Sequence, residues 1–434
     1  MAVMKQILPG VYSQIIAGER EAGLSARGTV AMALDLDWGA EFTEFLRGND
    51  TVAPFGYDFT NPKIKLIREV MQNAGKLLLY RLNANSGQPA QGTLAAGITA
   101  KAIYNGARGN DIKVTVTPNT VTPNKEFFVV RTYLGTREMD AQAIRTPEEF
   151  TPNSFIKLEG TGTLEAKTIT LTGGSNGDAT QAEGYESAFV ELQKQDFNIL
   201  CYTGTDAAVK GKYIAFVEKL EAAGNNIQVV MNAPEQKDIH IINNTVGGGP
   251  SQYELTAAEA CATMAGIQAS CGIEKSATHL TVDHWTHVSP KLDKWQQQTR
   301  TADGEILFVE NKGRVQVFYD INTLTAFDTE HPEDWRKNLV VRTLFAITAD
   351  LEKMLDEKAI GKIRNSKNGR NQIKGMCIEL ITENYLDDGY IEDFVPDDVL
   401  VECMGDDARD SIKVTVGVRV VDTADKIYLV VISR

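Results

Sequence analysis

One interruption does most to limit how this chain can fold. Helices and apolar strands alternate on either side of residues 92–177, and inside that stretch only strands can be read. Upstream, "GTVAMALDLDWG" alternates as a half-buried strand and "AEFTEFLR" is expected to form a short helix. Residues 63–75 then place Ile64, Ile67, Val70 and Met71 at helical spacing and stop at a glycine, and "KLLLYRLNA" reads as a buried strand. Downstream, "EGYESAFVELQKQ", "FNILCYTG", "KGKYIAFVEKLEAAG", "IQVVMNA" and "LTAAEACATMAGIQASCG" interleave three helices with two short apolar strands, as in a sheet covered on both faces. The last of these helices carries a capping box, Thr256 with Glu259, and its Ala and Gly content predicts close approach to a neighbouring element. Between the two parts, "GITAKAIYNGARGNDIKVTVTPN", "KEFFVVRTYLGTRE", "FIKLEG" and "KTITLTGG" are Thr/Val/Ile-rich strands punctuated by Gly, Asn and Pro. An all-β stretch with α/β pattern at both ends is an insertion, here a small β-sandwich-like one.

Beyond the α/β part lies the longest helix, starting near Pro332, with Trp335, Leu339, Leu344, Ile347, Leu351 and Leu355 along one stripe. The expected fold is therefore multidomain, α/β and α+β. It has an arm at residues 1–20, a core at 21–91 and 178–328 interrupted by the β insertion at 92–177, an α+β domain at 329–420 and a second arm at 421–434. Both arms carry apolar strands with no adjacent partner: "LPGVYSQI" with Val11, Tyr12 and Ile15, and "DKIYLVVISR" with Ile427, Tyr428, Val430 and Ile432. An unpaired apolar strand is an open edge, and pairing with another subunit is one way to close it.

Composition narrows the function. The 434 residues suffice for several cores, and 43% hydrophobic with 24% charged residues describes a folded, soluble chain. A net charge of −14 argues against nucleic acid as partner, because phosphate contacts need clustered Lys and Arg. Cys201, Cys261, Cys271, Cys377 and Cys403 are scattered and odd in number, as buried thiols of a reducing cytoplasm would be. No run approaches the roughly 20 apolar residues that span a bilayer, so direct membrane insertion is not expected.

Chemical motifs are weak. "GGSNG" (residues 173–177) matches G-x-S-x-G, which would make Ser175 the nucleophile of an α/β hydrolase. A nucleophile elbow needs its helix directly after the serine, however, and Thr180 with Glu183 marks a start five residues later; a flexible boundary linker is the better reading. His279, Asp283, His284 and His287 lack the spacing of a metal motif and read as half-buried residues around Trp285. "GGGP" (residues 247–250) lacks the Lys-Ser/Thr of a phosphate loop and reads as a turn. No catalytic, cofactor or metal residue is expected. One charge pattern stands out. Lys358, Lys362, Arg364, Lys367, Arg370 and Lys374 occur without an acid among them, whereas residues 375–410 carry twelve acids and one base, Arg409. The pair is either an interface or an internal counterweight.

"LPGVY", "GARGNDIKVTV", "LTGGSNG", "GRVQVFYDINTLTAF" and "DKIYLVVISR", in this order along the whole chain, resemble the tail sheath proteins of contractile phage tails and phage-tail-like bacteriocins, most of all those of Gram-positive bacteria. The resemblance implies a structural subunit without catalytic residues or cofactor. Such subunits polymerise into a helical sleeve around an inner tube, and contraction drives the tube through a cell envelope. It also implies partners: further copies joined by a sheet shared between terminal arms, the inner tail tube protein, and baseplate and tail terminator proteins. Assembly would take place in the bacterial host cytoplasm, into a virion tail or a phage-tail-like particle. The domain after the longest helix would lie nearest the tube, so the basic segment 358–374 would face inward. The rival readings from the residues alone are the Ser175 hydrolase and a soluble α/β binding module.

Overall fold

The computed structural model describes residues 28–120, 126–234, 236–329, 331–404 and 410–431. The first arm, with Val11, Tyr12 and Ile15, and Ile432 in the second, lie outside the described residues. Chain order begins with β1 (Thr29–Leu34), β2 (Phe42–Leu46), α1 (Val52–Phe55), α2 (Lys65–Met71) and β3 (Lys76–Arg81). The segment expected to be a short helix is therefore β2, antiparallel to β3 with Phe42 opposite Tyr80. Its aromatic Phe42 and Phe45 fit a half-buried edge strand, and this placement overrides the local helical spacing.

The strand-only stretch forms β4 (Gln91–Ala95), β5 (Ile98–Ala102), β6 (Ile112–Pro118), β7 (Phe128–Leu134), β8 (Arg137–Ile144), β9 (Ile156–Gly160) and β10 (Lys167–Thr170). They make a three-stranded sheet, β4-β5-β9, and a four-stranded sheet, β10-β6-β7-β8. Ile98, Ala100, Ile112, Val114, Val130 and Ile156 are buried together, so the alternate residues of both sheets share one core. Trp38 of the α/β body joins that core, stacked on Phe155 with ring centroids 6.0 Å apart.

The chain then returns to the body as α3 (Tyr185–Leu192), β11 (Ile199–Cys201), α4 (Ala207–Ala222), β12 (Gln228–Met231), β13 (Ile241–Asn244), β14 (Gly247–Gly249), α5 (Cys261–Cys271), β15 (His287–Ser289), α6 (Lys294–Ala302), β16 (Glu305–Ile306), β17 (Phe308–Asn311) and β18 (Arg314–Val317). One seven-stranded sheet, ordered β16-β13-β12-β11-β1-β3-β2, unites both halves. Val30 of β1 pairs with Leu77 on one side and with Ile199, beyond the insertion, on the other. Strand alternation divides the core. Val30, Met32, Leu77 and Leu79 face the layer of α2 and α5, whereas Ala31 and Leu78 face Phe189, Tyr213 and Phe216 of α3 and α4. The predicted capping box at Thr256 and Glu259 is present, and α5 does approach closely: a Cβ on Gly266 would lie 2.4 Å from the Val70 carbonyl of α2. Gly247–Gly249, expected to be a turn, is strand β14, antiparallel to β15. A Cβ on Gly247 would lie 2.3 Å from the Leu255 carbonyl, so closely apposed backbone, not turn geometry, requires this glycine.

The last part holds α7 (Asn338–Lys358), α8 (Lys367–Ile381), β19 (Ile391–Glu392), β20 (Val399–Cys403), β21 (Ile412–Val416) and β22 (Arg419–Val420). Pro332 precedes a 3₁₀ turn at Glu333–Arg336, not α7 itself. Ile347 and Met354 of α7 pack against Ile373, Cys377 and Ile381 of α8 and against Tyr385.

Candidate assembly interface

The GNDI and DINT motifs fix joints of the fold. Asn110 exchanges two hydrogen bonds with Gly174, each 2.8 Å, closing the base of the β lobe. In "DINTLTAF", Asp320, Asn322 and Thr323 are all fully buried. Asp320 accepts from Gln268 Nε2 at 2.7 Å, Asn338 Nδ2 at 2.8 Å, the Ala277 amide at 2.9 Å and Arg342 at 3.2 Å. Burial alone would raise the Asp320 pKa; the Arg342 guanidinium, the Ala277 amide and the side-chain donors outweigh it and hold the carboxyl below its ordinary value. Asn322 donates to the Trp335 carbonyl at 2.7 Å, and Thr323 Oγ1 to the Asp238 carbonyl at 3.0 Å. The motif thus joins the α/β body to the start of α7.

Ser175 sits in the other joint. Its amide and carbonyl pair with Gln88, and its Oγ accepts from the Gln88 amide at 3.1 Å. Asn176 donates to Asp37 at 2.7 Å and accepts from the Ala107 amide at 2.8 Å. The segment is a cross-brace between lobe and body, and α3 starts ten residues after the serine. The expected Thr180–Glu183 box is replaced by Asp35, which accepts from both the amide and the hydroxyl of Thr180. No general base faces Ser175 Oγ among its contacts, so the hydrolase reading is not favoured.

The four-residue His/Asp group is also divided by the fold. His284 Nε2 lies 2.8 Å from Glu69, which additionally accepts from Thr263 at 2.7 Å, Trp285 at 3.1 Å and Tyr253. Burial would raise the Glu69 pKa, but His284 and the hydroxyl donors bring it down to about 2. This carboxylate ties α2 to α5 and to the segment after it, a tie that no local sequence signal announces.

Two features of the C-terminal part face outward. Residues 421–431 form no strand in the isolated chain. Asp422 and Asp425 anchor this segment on Lys337, whose ammonium also lies 4.5 Å from the Tyr319 ring centre. Burial lowers the Lys337 pKa, and the two carboxylates more than compensate, leaving it above the ordinary value. After Asp425 the chain leaves the body: Ile427, Tyr428 and Val430, with Leu429 and Val431, are 80–90% exposed. Isolated exposed apolar residues are ordinary, but five in succession are not.

The second feature is a short sheet beside an apolar groove. β20 and β21 form a two-stranded antiparallel sheet, Val401 opposite Val414, with no further strand on either edge among the described residues. Val414, Val416 and Val418 alternate toward α7 and, with Leu344, Leu351 and Leu355, line an open groove of about 500 Å³. Leu344, Leu351 and Leu355 of the α7 stripe read from the sequence thus border this groove, Leu351 and Leu355 while also packing against the core of the C-terminal part. His240, stacked on Phe345 at the groove wall, keeps its buried Nε2 without a hydrogen-bond partner among the described residues.

The basic segment is brought together in part. Lys358 ends α7, Lys362 and Arg364 lie in the exposed connection, and Lys367, Arg370 and Lys374 are on α8, started by Ser366 accepting from the Gly369 amide at 3.1 Å. Lys374 reaches Asp397 at 3.8 Å and Arg370 reaches Asn365 at 2.7 Å; Lys358, Lys362, Arg364 and Lys367 are exposed.

Comparison with known proteins identifies the family. Four family models match consecutive parts of the chain: the tail sheath protein Gp18 domain III N-terminal region at residues 27–82, the phage tail sheath protein beta-sandwich domain at 85–176, the phage tail sheath protein central domain at 178–323 and the phage tail sheath C-terminal domain at 330–433. The phage-like element PBSX protein XkdK of Bacillus subtilis is 30% identical over 455 residues, with 96% of each chain covered. The crystal structure of a sheath tail protein from Desulfitobacterium hafniense superposes with a TM-score of 0.82 at 30% identity, covering 97% of this chain and 99% of that one. The helical sheath of the anti-feeding prophage in its contracted state shares the fold, with a TM-score of 0.57 at 13% identity and 99% and 100% coverage. The chain belongs to the phage tail sheath protein family.

Proposed function

We propose that this protein is the subunit of a contractile tail sheath, which polymerises helically around an inner tube and shortens to drive the tube through a cell envelope. The observation that carries the reading is the presence, in one chain, of an exposed five-residue apolar segment and of an open apolar groove beside a strand edge that is unpaired among the described residues. Ile427, Tyr428, Val430 and Ile432 of one subunit extend the β20–β21 sheet of the next, alternate side chains covering the groove over α7; Val11, Tyr12 and Ile15 of the first arm serve the other edge. Donor and acceptor are different surfaces, so the contact is head-to-tail, and a rotation that does not close produces an open helix. Backbone pairing tolerates changes in side-chain contact, which lets the arms act as hinges while the divided body, lobe and C-terminal part turn as rigid units. Contraction then needs no nucleotide if the extended array is the less stable of two. The basic segment faces an acidic tube surface, and baseplate and terminator proteins cap the ends.

The test is removal of residues 426–434, a cut that leaves Asp425 on Lys337. The shortened monomer should keep the circular dichroism and melting temperature of the full chain, since residues 427–431 are 80–90% exposed, and electron microscopy should show no sleeves. Normal sleeves from the shortened chain would sink the strand-exchange reading.

A further inference from the structure

The parallel strands β1, β11 and β12 begin on the floor of a second cleft, about 800 Å³ in volume, between the α/β body and α7. Its α7 wall runs from Arg342 to Asp356, about 21 Å of helix at 1.5 Å per residue. Phe197 and Ile227 of the body and Phe345, Ala346 and Ala349 of α7 give it apolar walls. Gln228, 1% exposed, donates from Nε2 to the Ile239 carbonyl at 2.9 Å and to Asn338 Oδ1 at 3.0 Å, but its Oε1 has no hydrogen-bond partner among the described residues. A buried acceptor left open marks packing that is not complete. The cleft is also lined by Asp196, Glu352 and Asp356, which are exposed and form no ion pair among the described residues. Partial burial pushes the Glu352 carboxyl above its ordinary value, and no cation offsets it. Lys353 stands between the last two acids on α7, and Arg342 at the far end is committed to Asp320.

Gly28, the first described residue, lines this cleft, and residues 1–27 precede it. Its carbonyl accepts from the Gly75 amide at 3.1 Å, so the chain enters the body at a fixed point. Arg27 is one Cα step, about 3.8 Å, away from that point. In the parallel register Val30 stands opposite Ile199, and counting back three places brings Arg27 beside Asp196. We propose that residues 22–27 of the same chain fill this cleft, with Leu24 between Phe197 and Ala349 and Arg27 at the acidic rim. The segment suits the space: "AGLSARG", ending at Gly28, offers one large apolar residue and one cation among small residues. Connectivity selects this occupant. Leu24 is four residues from Gly28, at most about 14 Å of extended chain, so it is held at the cleft, whereas a segment of another copy must displace it to enter. Running from Gly28 toward Asp356, the segment leaves the Arg342 end open to water. Asn226, Phe345 and Glu352 line both this cleft and the groove beside β20 and β21, so a chain that passes Glu352 delivers the first arm to that groove. Only the arm's later use depends on the sheath reading; the seating of residues 22–27 holds in the free monomer.

The test is iodoacetamide labelling of the full-length chain carrying Leu24→Cys, with Glu218→Cys on the exposed face of α4 as the reference, each position read by peptide mass spectrometry and each fold checked by circular dichroism. The thiol at position 24 should react roughly tenfold or more slowly than the reference, at a rate independent of protein concentration. Ala349→Trp, which fills the cleft, and separately Asp196→Lys with Glu352→Lys, should bring its rate up toward the reference. Adding Arg27→Glu to the two acid reversals should restore protection. Equal rates at the two positions overturn the inference. So does protection that survives both Ala349→Trp and the acid reversals, which puts the segment elsewhere, and so does protection that appears only as copies associate, which gives the cleft to a neighbouring subunit. None of these outcomes bears on the sheath reading, which removal of residues 426–434 tests.

Discussion

Replacing Arg342 by Met removes a guanidinium from the junction of α5, the Asp320 loop and α7 while keeping the aliphatic stem. Arg342 donates to the Gly272 carbonyl at 2.7 Å, to the Lys275 carbonyl at 3.1 Å, to Gln268 Oε1 and to Asp320. Removing one partner of a buried ion pair costs about 3–5 kcal/mol, because the other charge stays buried. Asp320 retains its three short donors, which places the electrostatic loss toward the lower end of that range. The two carbonyls add about 1 kcal/mol, since Arg342 borders an open cleft from which water can reach them. The expected loss is therefore about 4 kcal/mol. Urea unfolding followed both by circular dichroism and by tryptophan fluorescence measures it, and it belongs to whichever transition contains the seven-stranded sheet if the parts unfold separately. The double variant Asp320→Asn with Arg342→Met should be less damaged than the sum of the singles, by about 1–3 kcal/mol. A loss below about 1 kcal/mol in Arg342→Met with an unchanged denaturant slope would refute the argument that this pair holds the joint.

Reversing Lys362, Arg364, Lys367 and Arg370 to Glu should barely shift the monomer's melting temperature, since exposed charges contribute about 0–1 kcal/mol each, and should abolish sheathing of purified tubes; raised salt should weaken the wild type in the same direction, and unimpaired sheathing at low salt would show that the segment does not face the tube. Glu69 has a folded pKa near 2 against an ordinary 4.5, so its contribution is complete above about pH 4.5 and drains as pH falls toward 2; Glu69→Gln should flatten the acid limb of the stability profile over that window, and an unchanged acid limb would contradict it. Ser175→Ala removes one acceptor of the Gln88 amide and should cost about 1 kcal/mol or less; stoichiometric labelling of wild-type Ser175 by a serine-reactive probe would revive the hydrolase reading.

Where the sequence was legible, a local pattern carried the message. The first strand corrects the half-buried reading of "GTVAMALDLDWG": Thr29 to Ala33 are buried on both faces, so the unbroken apolar run, as in "KLLLY", is what marks a central strand, while Thr256 with Glu259 closes a local capping box just ahead of α5. Phe42–Leu46 misled because an edge strand half in water keeps the mixed polarity of a short helix, and only pairing with β3 decides. Pairings such as Glu69 with His284, 215 positions apart, leave no local trace, nor does Asp35 standing in for the expected Glu183 at Thr180. The α7 stripe was visible, but not that Leu344, Leu351 and Leu355 look into an open groove; apolar spacing says that a surface is to be covered, not by which chain.

The bridge between Gln88 and Ser175 has a consequence for how such a protein can vary. The chain leaves the body for the β lobe and comes back at adjacent positions, braced by Asn176 on Asp37 and by Gly87, where any side chain would strike the Ser175 carbonyl. The lobe is therefore a closed excursion: its length, sequence and even its fold can change without rerouting a strand of the seven-stranded sheet. A shared scaffold built this way can be re-dressed by exchanging one module at a single seam, provided that the replacement again covers Trp38 and Val52 of the body, which the present lobe buries.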